Sequence, residues 1–149
     1  MKKNLNLLIC MIILGSAFIS CKKDEEKTAK DFLVDNSCWN LVKLEQKQDN
    51  GTWNDLSGLV LGEACSADDC YKFSSDNKYE INEGASKCDP DDDQVYETGT
   101  WSLSADNKTL TMTTSDGDTQ GGEVEELTEG TLKLLSTDPT FGTIRITLQ

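Results

Sequence analysis

The chain has 149 residues, enough for one folded domain, and its composition is strongly acidic, with 27 Asp and Glu against 14 Lys and Arg. A net charge of −13 repels nucleic-acid phosphates and anionic lipid head groups, so nucleic-acid binding is excluded. The sequence contains no histidine, which removes Ser-His-Asp and Cys-His nucleophile systems and the commonest transition-metal ligand. We therefore expect a protein without enzymatic activity.

Residues 1–20 have the pattern of a secretory signal peptide. Met1–Lys3 is a short basic segment, and Leu5–Ile19 is mostly apolar but short for a membrane span. The segment Phe18-Ile19-Ser20-Cys21 resembles the lipobox of bacterial lipoproteins, in which the cysteine is acylated and becomes the new N-terminus. The resemblance implies that Cys21 is lipidated and anchors the protein firmly to a membrane. The alternative is an ordinary signal peptide followed by an unrelated cysteine.

The residues after Cys21 are charged. Lys22-Lys23-Asp24-Glu25-Glu26 resembles the export signal that sends lipoproteins of the Bacteroidota to the outer face of the outer membrane. The resemblance implies a lipid-anchored, surface-exposed protein, and the alternative is a charged linker and nothing more. We assign residues 21–35 to the lipidated cysteine and a charged tether, and residues 36–149 to the folded domain. Loss of the signal peptide changes the net charge from −13 to −15.

Apolar residues spaced two apart predict strands with one buried face. The first such strand begins with Trp39 and Leu41. Six others are marked by Tyr71 and Phe73, Tyr79 and Ile81, Trp101 and Leu103, Leu110 and Met112, Leu132 and Leu134, and Ile144 to Leu148, and one more by Val124 and Leu127 with a register break between them. Eight antiparallel strands can close on themselves and remove both unpaired edges. We predict an all-β fold, an eight-stranded up-and-down barrel.

The sequence does not decide the structure of two segments. Phe32–Val34 is either a helical turn that covers one end of the sheet or the entry to the first strand. Trp53–Ala64 has apolar residues at helical spacing, interrupted by glycines, and is predicted to be a loop or one weak helical turn. This second segment either folds back onto the core or forms a lid over the mouth of a cavity.

Aromatic residues dominate the predicted inward positions of the barrel. They are either plain core or the lining of a cavity, since an eight-stranded barrel can hold one small ligand. The candidate ligand-binding residues are Trp39, Tyr71, Phe73, Tyr79 and Trp101. Trp53, Tyr96 and Phe141 are predicted to lie in connecting segments, as candidates for a rim or an exposed binding patch.

The acidic run Asp89–Asp93 is the candidate for metal chemistry. Its alternating acids match the first ligands of an EF-hand, but Gln94 and Thr100 occupy the positions that require Gly and Glu. A looser calcium site is the alternative to a solvated acidic loop, and it would use Asp89, Asp91 and Asp93 with Asp68 or Asp69. We assign no metal and no cofactor.

Several short segments together resemble the lipocalin-like domain found in many lipoproteins of the Bacteroidota. They are Trp39-Asn40-Leu41, the run from Cys65 to Phe73, Tyr79, Glu83-Gly84-Ala85-x-Lys87-Cys88-Asp89-Pro90, Gly99-Thr100-Trp101, Leu110 and the run from Leu127 to Leu134. The resemblance covers roughly residues 36–148 and implies an eight-stranded up-and-down barrel or a strongly curved sheet.

The cysteines that remain after Cys10 and Cys21 are even in number, which indicates two disulfides in an exported chain. The resemblance implies that Cys65 pairs with Cys88. Cys38 and Cys70 have no counterpart in it, but both point away from the inward aromatic residues on strands that a meander can place side by side. We therefore expect Cys38 to pair with Cys70.

The expected function is that of a non-catalytic surface lipoprotein that binds a small apolar ligand in or at the mouth of its barrel. The alternative is a protein-interaction module, or an accessory subunit of an outer-membrane complex, with a solid barrel core.

Overall fold

The computed structural model describes residues 26–149, so the predicted signal peptide and Cys21 lie outside the described residues. The described part is a nine-stranded antiparallel sheet with two short helices. The elements in chain order are α1 (Ala29–Asp35), β1 (Trp39–Lys47), β2 (Trp53–Asp55), α2 (Ser57–Val60), β3 (Cys70–Phe73), β4 (Lys78–Asn82), β5 (Val95–Leu103), β6 (Thr109–Thr114), β7 (Thr119–Leu127), β8 (Leu132–Asp138) and β9 (Gly142–Leu148). None of the helices in this range is long and apolar enough to cross a membrane.

Eight of the strands form a closed up-and-down barrel, as predicted. Each strand from β3 to β9 pairs with the next, and β9 returns to pair with β1 between Leu41 and Gln46. The other edge of β1 is shared, because β3 pairs with its first residues and β2 pairs with Glu45–Lys47. The ninth strand, β2, is therefore an addition outside the barrel circuit.

The seam between β1 and β3 has only two residue pairs, Trp39 with Tyr71 and Asn40 with Cys70. A disulfide between Cys38 and Cys70 joins the two strands beside this seam. The side-chain amide of Asn40 adds hydrogen bonds to the carbonyl oxygens of Asp68 and Asp69, at 3.1 and 2.9 Å. Covalent and side-chain contacts thus hold a seam that has few backbone hydrogen bonds.

Both predicted disulfides are present. The second one joins Cys65, in the loop before β3, to Cys88, in the loop between β4 and β5. Cys70 is only 3% exposed, so the first disulfide is a buried crosslink and not an exposed one on the outer wall.

Helix α1 covers one end of the barrel, which settles the two alternatives for Phe32–Val34 in favour of a helix. The Thr28 hydroxyl accepts a hydrogen bond from the Asp31 backbone N–H at 3.2 Å, and the Asp31 carboxylate accepts one from the Thr28 N–H at 2.7 Å. This capping box starts the helix. Leu33 is completely buried, and its carbonyl accepts a hydrogen bond from the Trp39 indole N–H at 3.0 Å.

The predicted tether, residues 21–35, therefore includes residues that belong to the folded domain. Residues 29–35 belong to the folded domain, whose start moves upstream from residue 36. The charged composition of the segment concealed this, because one buried leucine and one capping pair are enough to dock a helix of seven residues.

The segment from Trp53 to Ala64 contains β2 and the single turn α2, and it runs along the free edge of β1. The Leu56 N–H donates to the Leu44 carbonyl at 2.8 Å, and the Ser57 hydroxyl accepts from the Leu44 N–H at 3.0 Å. The segment is therefore no lid. Trp53 and Tyr96 lie on strands, contrary to the prediction, and only Phe141 lies in a connection.

The barrel has a closed end, where α1 docks, and an open end with the loop between β4 and β5. Large side chains fill the closed end. Trp39, Phe73 and Trp101 are each at most 4% exposed, and the rings of Phe73 and Trp101 meet edge to face at 5.7 Å between centroids. The closed end is therefore a solid core.

The substitution Leu33→Ala tests the docking of α1. Removing a fully buried leucine leaves a cavity, so we expect the free energy of unfolding to fall by about 2–5 kcal/mol in urea denaturation. Leu59→Ala is the matched control, because Leu59 lies on the other short helix and is 68% exposed; it should change stability by less than about 0.5 kcal/mol. Equal stabilities of the two variants would contradict the docking.

Candidate functional site

The open half of the barrel contains a cavity of about 500 Å³. Its wall comes from β3, β6, β7, β8 and β9, and it is partly open to solvent, since some of its lining residues are exposed. The apolar lining consists of Leu110, Met112, Leu134, Ile144, Ile146 and Leu148. The polar lining residues are Tyr71, Thr109, Thr111, Thr119, Gln120, Ser136, Thr137 and Asp138. A concave site of this size that combines an aliphatic surface with polar groups has the character of a small-molecule site.

Glycine at inward positions affects how the interior of the barrel is filled. Gly122 is the register partner of the inward Leu110, and it contributes no side chain to the interior. Gly99 faces inward beside Tyr79, and a Cβ there would lie 2.6 Å from Cε1 of the Tyr79 ring. Glycine at this position lets the Tyr79 ring cross β5 and reach further toward the open end.

Three side chains on the inward face of the barrel form what we call the interior polar cluster: Tyr79, which is buried, Glu97, which is half-buried, and Gln120, which is exposed at the open end. Oε1 of Glu97 accepts a hydrogen bond from the Tyr79 hydroxyl at 2.7 Å and another from Nε2 of Gln120 at 2.7 Å. Glu97 is the register partner of the buried Ile81, which places its side chain on the inward face of β5. Because Gln120 also lines the cavity, the cluster lies against the cavity wall.

Burial raises the pKa values of the tyrosines in this region. It raises the pKa of Tyr79 to about 12, and the hydrogen bond with Glu97 adds to the effect. Burial also raises the pKa of Tyr71, and the negative charge of Glu97 raises it further. Within residues 26–149 the Tyr71 hydroxyl has no hydrogen-bond partner, so it offers a donor and an acceptor to a molecule in the cavity.

Of the five aromatic residues predicted from the sequence, only Tyr71 lines the cavity. Tyr79 contributes its hydroxyl to the interior polar cluster, and Trp39, Phe73 and Trp101 belong to the solid core at the closed end. The sequence reasoning missed Glu97, Gln120 and the aliphatic wall from β8 and β9. The inward position of Glu97 could have been predicted, because Glu97 precedes the inward Trp101 by an even number of residues on the same strand.

The loops near the open end are held by carboxylates. Asp68 accepts hydrogen bonds from the Ala85 and Ser86 N–H groups at 2.9 and 3.0 Å, and the Ser86 hydroxyl holds the pKa of Asp68 below its usual value. Gly84, at φ +60°, passes so close to the Asp68 carbonyl that a side chain would collide. Asp69 accepts from the Tyr96 hydroxyl at 3.1 Å, and burial raises the Asp69 pKa.

The acidic run itself does not gather ligands. Within the described residues, the carboxylates of Asp89, Asp91 and Asp93 do not form a group whose oxygens all lie within 4.8 Å of one another. The group with such spacing in this part of the chain is Glu63 with Cys65 and Cys88, whose two sulfur atoms are joined in a disulfide. Disulfide sulfurs are not thiolates, so this group lacks the usual cysteine ligands.

A closed barrel of eight strands with an interior cavity belongs to the class of up-and-down barrels that can hold one small molecule. The family model of the lipocalin-like domain matches residues 38–134, from the start of the barrel into β8. The chain belongs to this lipocalin-like family, whose members are generally non-catalytic binding proteins. A search of curated proteins found no match.

The three tyrosines give a pH-dependent test. Burial is the largest cause of a raised pKa at Tyr71, Tyr79 and Tyr96. An unfolded chain releases phenolic protons at about pH 10, so their contribution to stability is complete below that pH and is lost as the pH rises through the raised pKa values of the folded protein. In a spectrophotometric titration we expect little tyrosinate absorbance at pH 10 while circular dichroism still reports folded protein.

The guanidinium-unfolded chain is the control and should titrate near about pH 10. A folded protein that completes half of its tyrosinate absorbance change by that pH would contradict the shielding of the Tyr71 and Tyr79 hydroxyls from solvent.

Proposed function

We propose that the protein binds a small, largely apolar molecule in the barrel cavity and performs no catalysis. The observation that carries the proposal is the contrast between the two halves of the interior. The closed half is packed solid, whereas the open half leaves about 500 Å³ whose lining includes six aliphatic or methionine side chains beside polar ones. Folding normally removes such space, so its retention fits a site that a ligand fills.

The side-chain chemistry supports binding over catalysis. The sequence has no histidine, and Cys38, Cys65, Cys70 and Cys88 are all in disulfides. The tyrosine hydroxyls near the cavity have raised pKa values, so they are neutral hydrogen-bonding groups at neutral pH. These groups orient a ligand, and they supply neither a nucleophile nor a matched acid and base.

The proposal places the protein on the outer membrane, anchored by lipid on Cys21. The chain enters the fold through α1, which covers the closed end of the barrel. The seven residues between Cys21 and α1 can span at most about 25 Å. An anchor at Cys21 would therefore keep the closed end nearer the membrane and leave the open end facing away from it.

The protein-interaction alternative is favoured by one observation. Leu59 and Val60, on α2, are 68% and 38% exposed and lie outside the cavity. Adjacent exposed aliphatic residues are a feature of contact surfaces. A stoichiometric partner recovered from solubilised outer membrane, together with no saturable uptake of small apolar molecules, would favour this alternative.

Titration with the neutral probe N-phenylnaphthylamine tests the cavity. We expect saturable binding at one site per chain, with a rise in probe fluorescence. Ile146→Trp places a large side chain in the cavity and should weaken binding by about tenfold or more, because overfilling costs about 1–3 kcal/mol.

Leu135→Trp is the matched control, since Leu135 is on β8 and does not line the cavity. It should leave probe affinity unchanged, and circular dichroism should show that both variants are folded. Equal affinities of the wild type and folded Ile146→Trp would contradict binding in the cavity.

The membrane anchor is tested by Cys21→Ala in the full chain. We expect the wild type to sediment with outer membranes and to be cleaved by protease added to whole cells. The variant lacks the thiol that would carry the lipid and should leave the membrane fraction. Membrane association of the variant at the wild-type level would contradict lipidation at Cys21.

A further inference from the structure

We propose that the ligand carries a positively charged amine, which pairs with Glu97 while its apolar part occupies the cavity. This inference rests on the proposed function and names the chemical class of the ligand.

The first observation is that Glu97 has no cationic partner. Within residues 26–149, the salt bridges involve other carboxylates, among them Glu45, Glu80, Glu125 and Glu126. The two groups that hold Glu97 are a phenol and an amide, and neither carries a positive charge. Glu97 is half-buried, and because it receives only neutral donors its charge has no cationic partner, which a ligand cation would supply.

The second observation is that the carboxylate is held in a fixed orientation. Both donors bind the same oxygen, Oε1, and each distance is 2.7 Å. Oε2 therefore has no protein donor within the described residues and is left to accept a hydrogen bond from a bound molecule. Glu97 itself lines a neighbouring hollow and not the main cavity, but its hydrogen-bond partner Gln120 lines the cavity, so the carboxylate lies one side chain away from the space available to the ligand.

The third observation is that the charged residues near Glu97 are acidic. Asp116 and Asp118 flank the same hollow at the open end as Glu97, and that hollow has no Lys or Arg in its lining. The lining of the main cavity likewise contains no basic residue. Charges of one sign around a concave surface raise the local concentration of the opposite ion, so this hollow favours cations and disfavours carboxylate-bearing ligands.

The cavity wall indicates the chemistry of the rest of the ligand. Leu134, Ile144 and Ile146 offer an aliphatic surface on one side of the cavity, and the Tyr71 hydroxyl is a second polar contact. An amine joined to an alkyl or aryl group would pair with the Glu97 carboxylate and pack against the aliphatic wall. A fully apolar ligand would offer Glu97 no partner, and an anionic amphiphile would bring two like charges together.

Three probes of equal chain length separate these cases: octylamine, octanol and octanoate. We would measure their dissociation constants by calorimetry with the folded protein at neutral pH. Octylamine should bind about tenfold or more tightly than octanol, since hydrogen bonds between charged groups exceed neutral ones, and octanoate should bind most weakly. This order of affinities is measured on the wild-type protein alone.

The near-isosteric Glu97→Gln should remove the advantage of octylamine while octanol affinity stays within about twofold, because the apolar wall is unchanged. Glu123→Gln is the matched control: it removes an equal charge from an exposed position on β7 outside the cavity lining, and it should preserve the order of the three probes.

Equal affinities of the wild type for octylamine and octanol would overturn the inference and leave the proposed function intact. Loss of the amine preference to the same extent in Glu123→Gln and Glu97→Gln would also overturn it, since overall charge would then explain the preference. Failure of all three probes to bind would overturn both the inference and the proposed function.

Discussion

The closure of the sheet at β1 is the constraint on which the rest of the structure depends. A barrel has no free edge only when its first strand is paired on both sides. β1 meets this requirement with a long ladder to β9, but with only two residue pairs to β3. The Cys38–Cys70 disulfide and the Asn40 side chain reinforce the short seam, and β2 covers part of the edge that β3 leaves free.

Closure at β1 also organises the interior. Trp39 is at the seam, and its indole N–H binds the Leu33 carbonyl of α1. One buried residue thus connects the first strand, the seam and the helix at the closed end. The aromatic residues packed around it fill that half, and the free space of the open half adjoins inward positions that carry Gly122 and Ser136.

The sequence predicted the strands well because alternation is a local signal. Tyr71 and Phe73, or Tyr79 and Ile81, reveal a buried face within a few residues. The disulfide between Cys38 and Cys70 followed from the same alternation. Helix α1 was harder to predict, since its seven residues contain a single buried side chain.

The site could be predicted only in part, because its geometry depends on contacts between distant segments. The volume left between β3 and β9 depends on how side chains from opposite walls meet, and no single strand records it. Likewise, Tyr79, Glu97 and Gln120 come from three strands, and their hydrogen bonds join residues far apart in the chain. The size of the aromatic residues favoured them as ligand contacts, but three of the five serve to seal the closed end.

The central claim is that the closed half of the barrel is a structural core and the open half is a binding site. Methyl-resolved NMR of the protein with a bound apolar amine tests it most directly. The account predicts intermolecular nuclear Overhauser effects from the ligand to the methyl groups of Ile144 and Ile146, and none to Leu33, which is fully buried against the core. Contacts confined to the exposed methyl groups of Leu59 and Val60, with none in the cavity, would contradict it.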